Sequence, residues 1–142
     1  MRVVAGVDGS AESRRALSWA IGEAKAHAAP LHVVHVWHYP YGIAPAASFA
    51  TREELREAFR SDAERILAAE VQFASESGVT VTSALLEGPP AAELVREATE
   101  DDLLVVGSHG RGGFTGLLLG SVGHQCTHHA RCPVVIVPSG RR

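Results

Sequence analysis

Short apolar runs alternate along the chain with longer segments whose apolar residues recur every three or four positions. The first run, "RVVAGV" at 2–7, is β-branched and compact, as a strand requires. It breaks at "DGS", where Ser10 is a candidate N-cap. From there Ala16, Leu17, Ala20, Ile21, Ala24 and Ala28 fall on one face of a helix that stops before Pro30. "LHVVHVW" at 31–37 is apolar almost throughout, which predicts a strand covered on both faces.

A loop of unusual length follows, residues 38–50, containing Tyr39, Tyr41 and Phe49. These aromatic residues are open to two readings, stacking on a ligand or pinning the loop to the body. Thr51 and Glu54 form a capping box that opens a long helix. Leu55, Phe59, Ile66 and Phe73 mark its expected buried face, and Gly78 ends it. A third strand is expected at 79–86. A helix follows with Pro90 near its first position and Leu94, Val95 and Ala98 inside. "DLLVVG" at 102–107 is a fourth strand, 121–130 a last helix, and "PVVIVP" at 133–138 a fifth strand.

Five strands alternating with four helices predict a single α/β domain over residues 1–142, with a doubly wound parallel sheet and right-handed crossovers. The chain has 142 residues, 46% of them hydrophobic and 20% charged, which suits a folded core. A net charge of −3 offers no basic footprint for nucleic acid or for an anionic membrane surface. No apolar run approaches the length of a membrane-spanning helix. The start "MRVVAGVDGS" reaches a turn too early for a secretory leader, so a cytoplasmic location is expected. Cys126 and Cys132 are then expected as free thiols.

In open parallel sheets, ligands sit beyond the carboxyl ends of the strands, where strand order reverses. The two loops richest in glycine and polar residues follow the first and fourth strands. One carries Gly6, Val7 and Asp8; the other is "GSHGRGG", from Gly107 through Ser108, His109, Gly110, Arg111 and Gly112 to Gly113. The second loop continues in the spacing Gly107-x2-Gly110-x9-Gly120-Ser121. Glycines there let successive N–H groups point into one concavity, an anion-binding nest. Gly120, Ser121 and Val122 open the last helix, whose unpaired N–H groups favour a phosphate; Ser121 is also a candidate N-cap. Arg111 is open to two readings, pairing with a terminal phosphate or standing as an exposed loop arginine, and His109 is a candidate donor to a phosphate.

The loop is not a Walker A motif, because the only lysine is Lys25. Nor does "GVDGSAES" carry the dinucleotide-binding glycines. His124, His128 and Cys132 share one helix face. A structural zinc site normally draws its ligands from two separated pairs, and His128 and His129 suit the helix C-terminus without a metal.

Taken together, "VDGS", "VVHVW" and "DLLVVGSHGRGGFTGLLLGSV…CPVVIVP" closely resemble the universal stress protein family, over essentially the whole chain. The glycine spacing is the mark of its ATP-binding subgroup. The resemblance implies a strand order 3-2-1-4-5, a homodimer built partly through the last strand, and ATP, with magnesium, held between strands one and four. It implies that Gly107, Gly110, Gly120 and Ser121 hold ribose and phosphates, that Asp8 meets a ribose hydroxyl, and that the main chain of Val36 meets the adenine edge. In that order the strand at 133–138 is an apolar edge, and pairing with a second copy would cover it.

The expected function is nucleotide-dependent regulation in the stress response with little or no ATP turnover. Slow hydrolysis or nucleotidyl transfer, cyclic AMP as the ligand, and a nucleotide-free dimeric scaffold remain alternatives. Asp8, His109 and Arg111 are a thin set for phosphoryl transfer.

Overall fold

The computed structural model describes residues 1–40, 51–110 and 119–140. Its elements are β1 (Val3–Val7), α1 (Ala11–Ala26), β2 (Leu31–Trp37), α2 (Arg52–Ser75), β3 (Val81–Glu87), α3 (Pro90–Glu97), β4 (Leu103–Gly107), α4 (Ser121–His129) and β5 (Val134–Val137). All four strand pairings are parallel, in the order β3-β2-β1-β4-β5. β1 is central, with Val3 opposite Leu31 on one side and Leu103 on the other.

Strand alternation divides the core into two layers. Val3, Ala5 and Val7 pack with Leu17, Ala20 and Ile21 of α1 and with Ala74 at the end of α2. Val4, Val34 and Val106 face the other way, against Leu94 and Ala98 from the α3 segment and Cys126 of α4. Helices therefore cover both faces, and β1, β2 and β4 are as apolar as that demands.

Local signals account for most helix boundaries. Ser10 Oγ accepts from Ser13 N at 3.1 Å. The Thr51–Glu54 capping box is reciprocal, at 3.1 and 3.2 Å. Pro90 occupies the first position of α3. Beyond α2, Gly78 adopts φ +89 to turn the chain toward β3.

Leu55, Ile66 and Phe73 are half-buried, Ala98 caps α3 instead of lying inside it, and two positions differ more. Ala28 does not extend the buried face of α1: the helix stops at Ala26, and Ala28 is exposed at φ +50. Ala29 N donates back to Ala24 O at 2.9 Å, so the closing turn turns Ala28 out and tucks Ala29 against the core. Phe59 is 45% exposed instead of buried, its ring edge-on to Tyr39 at 5.6 Å. The reason is length. With 24 residues α2 spans about 36 Å, while a seven-residue strand spans about 23 Å. The first turns of α2 overhang the carboxyl edge of the sheet, and Phe59 lies on that overhang.

The overhanging helix is fastened further down by a charge the apolar pattern does not reveal. Glu70 is 3% exposed and receives Arg14 of α1, with Nη2 to Oε1 at 2.7 Å and Nε to Oε2 at 3.0 Å. The same guanidinium lies 4.2 Å from the centre of the Phe73 ring. Arg2 and Asp102 form a comparable pair at the amino end of the sheet, at 2.9 Å.

Candidate functional site

β1 and β4 are adjacent, yet their following helices lie on opposite faces of the sheet, so no connection crosses the space above their carboxyl ends. A cleft of about 380 Å³ opens there. Its floor is formed by Gly6, Val7 and Asp8 of the β1 end, Val34 to Trp37 of β2, and Val106 and Gly107 of β4. His109 and Gly110 close one side, Val122 of α4 adds to it, and the overhang of α2 forms the opposite wall through Phe59, Asp62, Ala63 and Ile66.

Asp8 enters this cleft through the turn into α1. Its Oδ1 accepts from Ser10 N at 2.9 Å, and its own N–H donates to Ser13 Oγ at 3.2 Å. That is an Asx-type turn, with Gly9 beside it at φ +81. Asp8 thus organises the start of α1 while its carboxylate borders the cleft. A β-carbon on Gly110 would stand 2.9 Å from Asp8 Oδ2, so the carboxylate occupies the space that a side chain at position 110 would need.

Gly120 is required for a related reason. Its backbone, at φ −73 and ψ 169, is open to any residue. A β-carbon there would stand 3.0 Å from the Ser108 carbonyl oxygen and 3.3 Å from His109 Cα. Gly120 N also donates to that oxygen, clamping the start of α4 to the end of β4. Gly120 is itself the N-cap of α4, and Ser121, a candidate for that place, is the first helical residue instead. The close approach explains the shift, because only glycine fits where the cap must lie.

The expected residues divide into three groups. Gly6, Val7, Asp8, Val36, Gly107, His109, Gly110 and Val122 line the cleft. Ser108 and Gly120 are buried beside it, with Ser108 Oγ 3.2 Å from His109 Nδ1, while Ser121 is exposed on the first turn of α4. Arg111, Gly112 and Gly113 lie outside the described residues, as do Tyr41 and Phe49. Tyr39 is buried, packed with Trp37 and Ala63, and so anchors the chain after β2.

Periodicity alone did not single out the α2 wall or the side chain of His35. The signal for the wall was present in the length of α2 relative to the strands. For His35 it was one of two histidines in an otherwise apolar strand.

Among the described residues no group of three His, Cys, Asp or Glu side chains could hold a metal ion. His124 and His128 do stack, with ring centres 4.5 Å apart, but this is a contact between neighbours on one helix. Cys126 and Cys132 are free thiols. Burial, and then the neighbouring Cys132, pushes the Cys126 thiol up to about 11. None of the described helices is long and apolar enough to cross a membrane.

The fold and its cleft define a doubly wound parallel α/β protein with an open site where strand order reverses. The chain belongs to the universal stress protein family, whose pattern matches residues 1–138. A universal stress protein of Mycolicibacterium smegmatis is 40% identical over 136 residues, covering 95% of this chain and 45% of the relative. The chain spans less than half the length of the curated mycobacterial relatives it matches. A universal stress protein solved in complex with cAMP is 32% identical, with a TM-score of 0.70 and 96% of each chain covered. The universal stress protein from Archaeoglobus fulgidus in complex with dAMP is 25% identical, with a TM-score of 0.67, covering 96% of this chain and 97% of that one.

Proposed function

We propose that the cleft binds an adenine nucleotide, ATP with magnesium foremost, and that the bound state regulates a partner in the stress response with little or no turnover. The observation that carries this reading is the meeting of Asp8 with Gly110 at the reversal of strand order. A carboxylate suited to a ribose hydroxyl and a glycine loop suited to phosphate oxygens border one space. The end of the cleft at Trp37, Phe59, Ala63 and Ile66 is mainly apolar, which suits a base. From β2 to β4 is two strand spacings, about 10 Å, which suits a nucleoside with its first phosphate.

The relatives solved with cAMP and dAMP support an adenine nucleotide as the ligand class. On this reading Gly107, Gly110 and the main chain of α4's first turn meet phosphates, and Val36 meets the base through its backbone. Magnesium would arrive on the phosphates, with Asp8 the carboxylate nearest the glycine loop. Such a site suits an ion that prefers phosphate oxygens and water to an all-protein cage. The whole forms one nucleotide-binding domain, in a cytoplasmic protein.

The test is calorimetric titration of nucleotide-stripped protein with Mg-ATP, AMP and cAMP, with Gly120→Val as control. Saturable binding that the variant loses is expected. Absence of binding by all three to a folded protein would refute the site. ADP release well above background would replace the regulator with a slow hydrolase.

We propose further that β5 pairs with β5 of a second copy. It lies at the edge of the sheet, with Val134, Val135 and Ile136 only half-buried. Val135→Glu is expected to yield monomer or insoluble protein in light scattering; an unchanged soluble dimer would rule this edge out.

A further inference from the structure

His35 is the most deeply buried ionisable side chain lining the cleft, only 6% exposed. Its Nδ1 lies 2.7 Å from the Val7 carbonyl oxygen. A carbonyl can only accept, so Nδ1 carries the proton, and in the neutral ring Nε2 keeps a lone pair. Among the described residues Nε2 has no hydrogen-bond partner. No buried side-chain nitrogen or oxygen among the described residues lacks a partner, so Nε2 must reach open space. The open space that this ring borders is the cleft.

We propose that His35 reads the base of the bound nucleotide, its Nε2 accepting a hydrogen bond from the exocyclic amino group of adenine. This rests on the adenine-nucleotide reading of the cleft. His35 lies on β2 two residues before Trp37 and lines the same cleft as Ala63 and Ile66 of α2, one strand over from β1, whose end carries Asp8 toward Gly110. The Val7 carbonyl locks the tautomer, so the ring presents an acceptor and disfavours a base with an oxo group at the same position. Hypoxanthine and guanine carry that oxo group. A donor matched to a buried acceptor discriminates strongly, because the wrong ligand leaves the acceptor unpaired.

The other ionisable side chains facing the cleft are Asp8 from β1, His38 beyond β2, Asp62 from α2 and His109 beyond β4; α1 contributes only Ser13. AMP and IMP share ribose and phosphate, so the contribution of groups that meet those parts cancels in the ratio of the two affinities.

The experiment titrates nucleotide-stripped protein with AMP and with IMP at neutral pH. The expected result is a preference for AMP of about 10- to 100-fold. His35→Asn keeps an amide nitrogen near the place of Nδ1, so the bond to Val7 survives, but removes the cleft-facing atom. It should lower the AMP/IMP ratio about tenfold. His35→Gln, with an amide near the place of Nε2, should restore part of the ratio. If AMP binds but the Asn variant keeps the wild-type ratio, His35 merely caps β1 and the inference fails while the nucleotide site stands. Should the Asn variant not fold, a wild-type protein that binds IMP as tightly as AMP overturns the inference alone. Failure of both nucleotides to bind overturns the site reading with it.

Discussion

Gly120→Ser separates local from tertiary reasoning. Gly120 is an N-cap in an extended conformation that alanine and serine adopt freely, and serine is a better N-cap than glycine. By local rules Gly120→Ser should be neutral or stabilising. The tertiary contact predicts the opposite. The new β-carbon would sit 3.0 Å from the Ser108 carbonyl oxygen and 3.3 Å from His109 Cα, both main-chain atoms that cannot rotate away. Relief requires the end of β4 and the start of α4 to part, stretching the Gly120 N–H bond to Ser108 O that joins them. Overpacking of this kind costs about 1–3 kcal/mol, and weakening the hydrogen bond about 1 kcal/mol, so a loss of about 2–4 kcal/mol is expected for Gly120→Ala or Gly120→Ser. Urea unfolding should show it as a lower midpoint with unchanged slope. Calorimetry should show AMP affinity falling about tenfold, because a few tenths of an ångström misplace the N–H groups expected to meet phosphate. A Gly120→Ser protein as stable as the wild type, with unchanged affinity, would refute the close-approach argument.

Other consequences are independent of the ligand. Asp102 is buried, which alone would raise its pKa, but hydrogen bonds from Arg2 and Thr99 outweigh burial and hold the carboxyl well below the usual range. Its folded value is depressed, so the stability it contributes is present above about pH 4 and lost as pH falls through the folded value. Asp102→Asn should cost about 3 kcal/mol in urea unfolding at pH 7, with the gap to wild type closing on acidification below about pH 4; a pH-independent gap would exclude the ion pair as the cause. Thr51→Ala removes the capping box of α2 and should cost about 1 kcal/mol, read from the unfolding midpoint. With its thiol pushed up to about 11, Cys126 should resist thiol reagents at pH 8 in the native protein and react at the normal rate when unfolded.

Much of this protein is legible before any coordinates are seen. The alternation of apolar runs with 3.6-residue periodicity determined nine elements and their kind, because burial on a sheet or a helix face imposes those periods whatever the partner. Caps at Ser10 and Thr51 and the turn glycine at 78 are local hydrogen-bonding and steric matters, so they too were in the sequence. The glycine spacing from 107 to 120 marked the loop to watch. Periodicity does not say which strands are neighbours; the order came from family resemblance, and the sheet bears it out.

Tertiary structure decided what the glycines are for. Asp8 and Gly110 are 102 residues apart, and only the adjacency of β1 and β4 makes one crowd the other. The overhang that leaves Phe59 exposed follows from the length of α2 against the sheet beneath it. Glu70 reads as a surface charge on a helix until Arg14 is found opposite. His35 reads as one polar interruption in a buried strand until the Val7 carbonyl fixes its proton and leaves its other nitrogen facing the cleft. In each case the deciding energy is a contact between residues far apart in the chain, and a local pattern carries no information about the far partner.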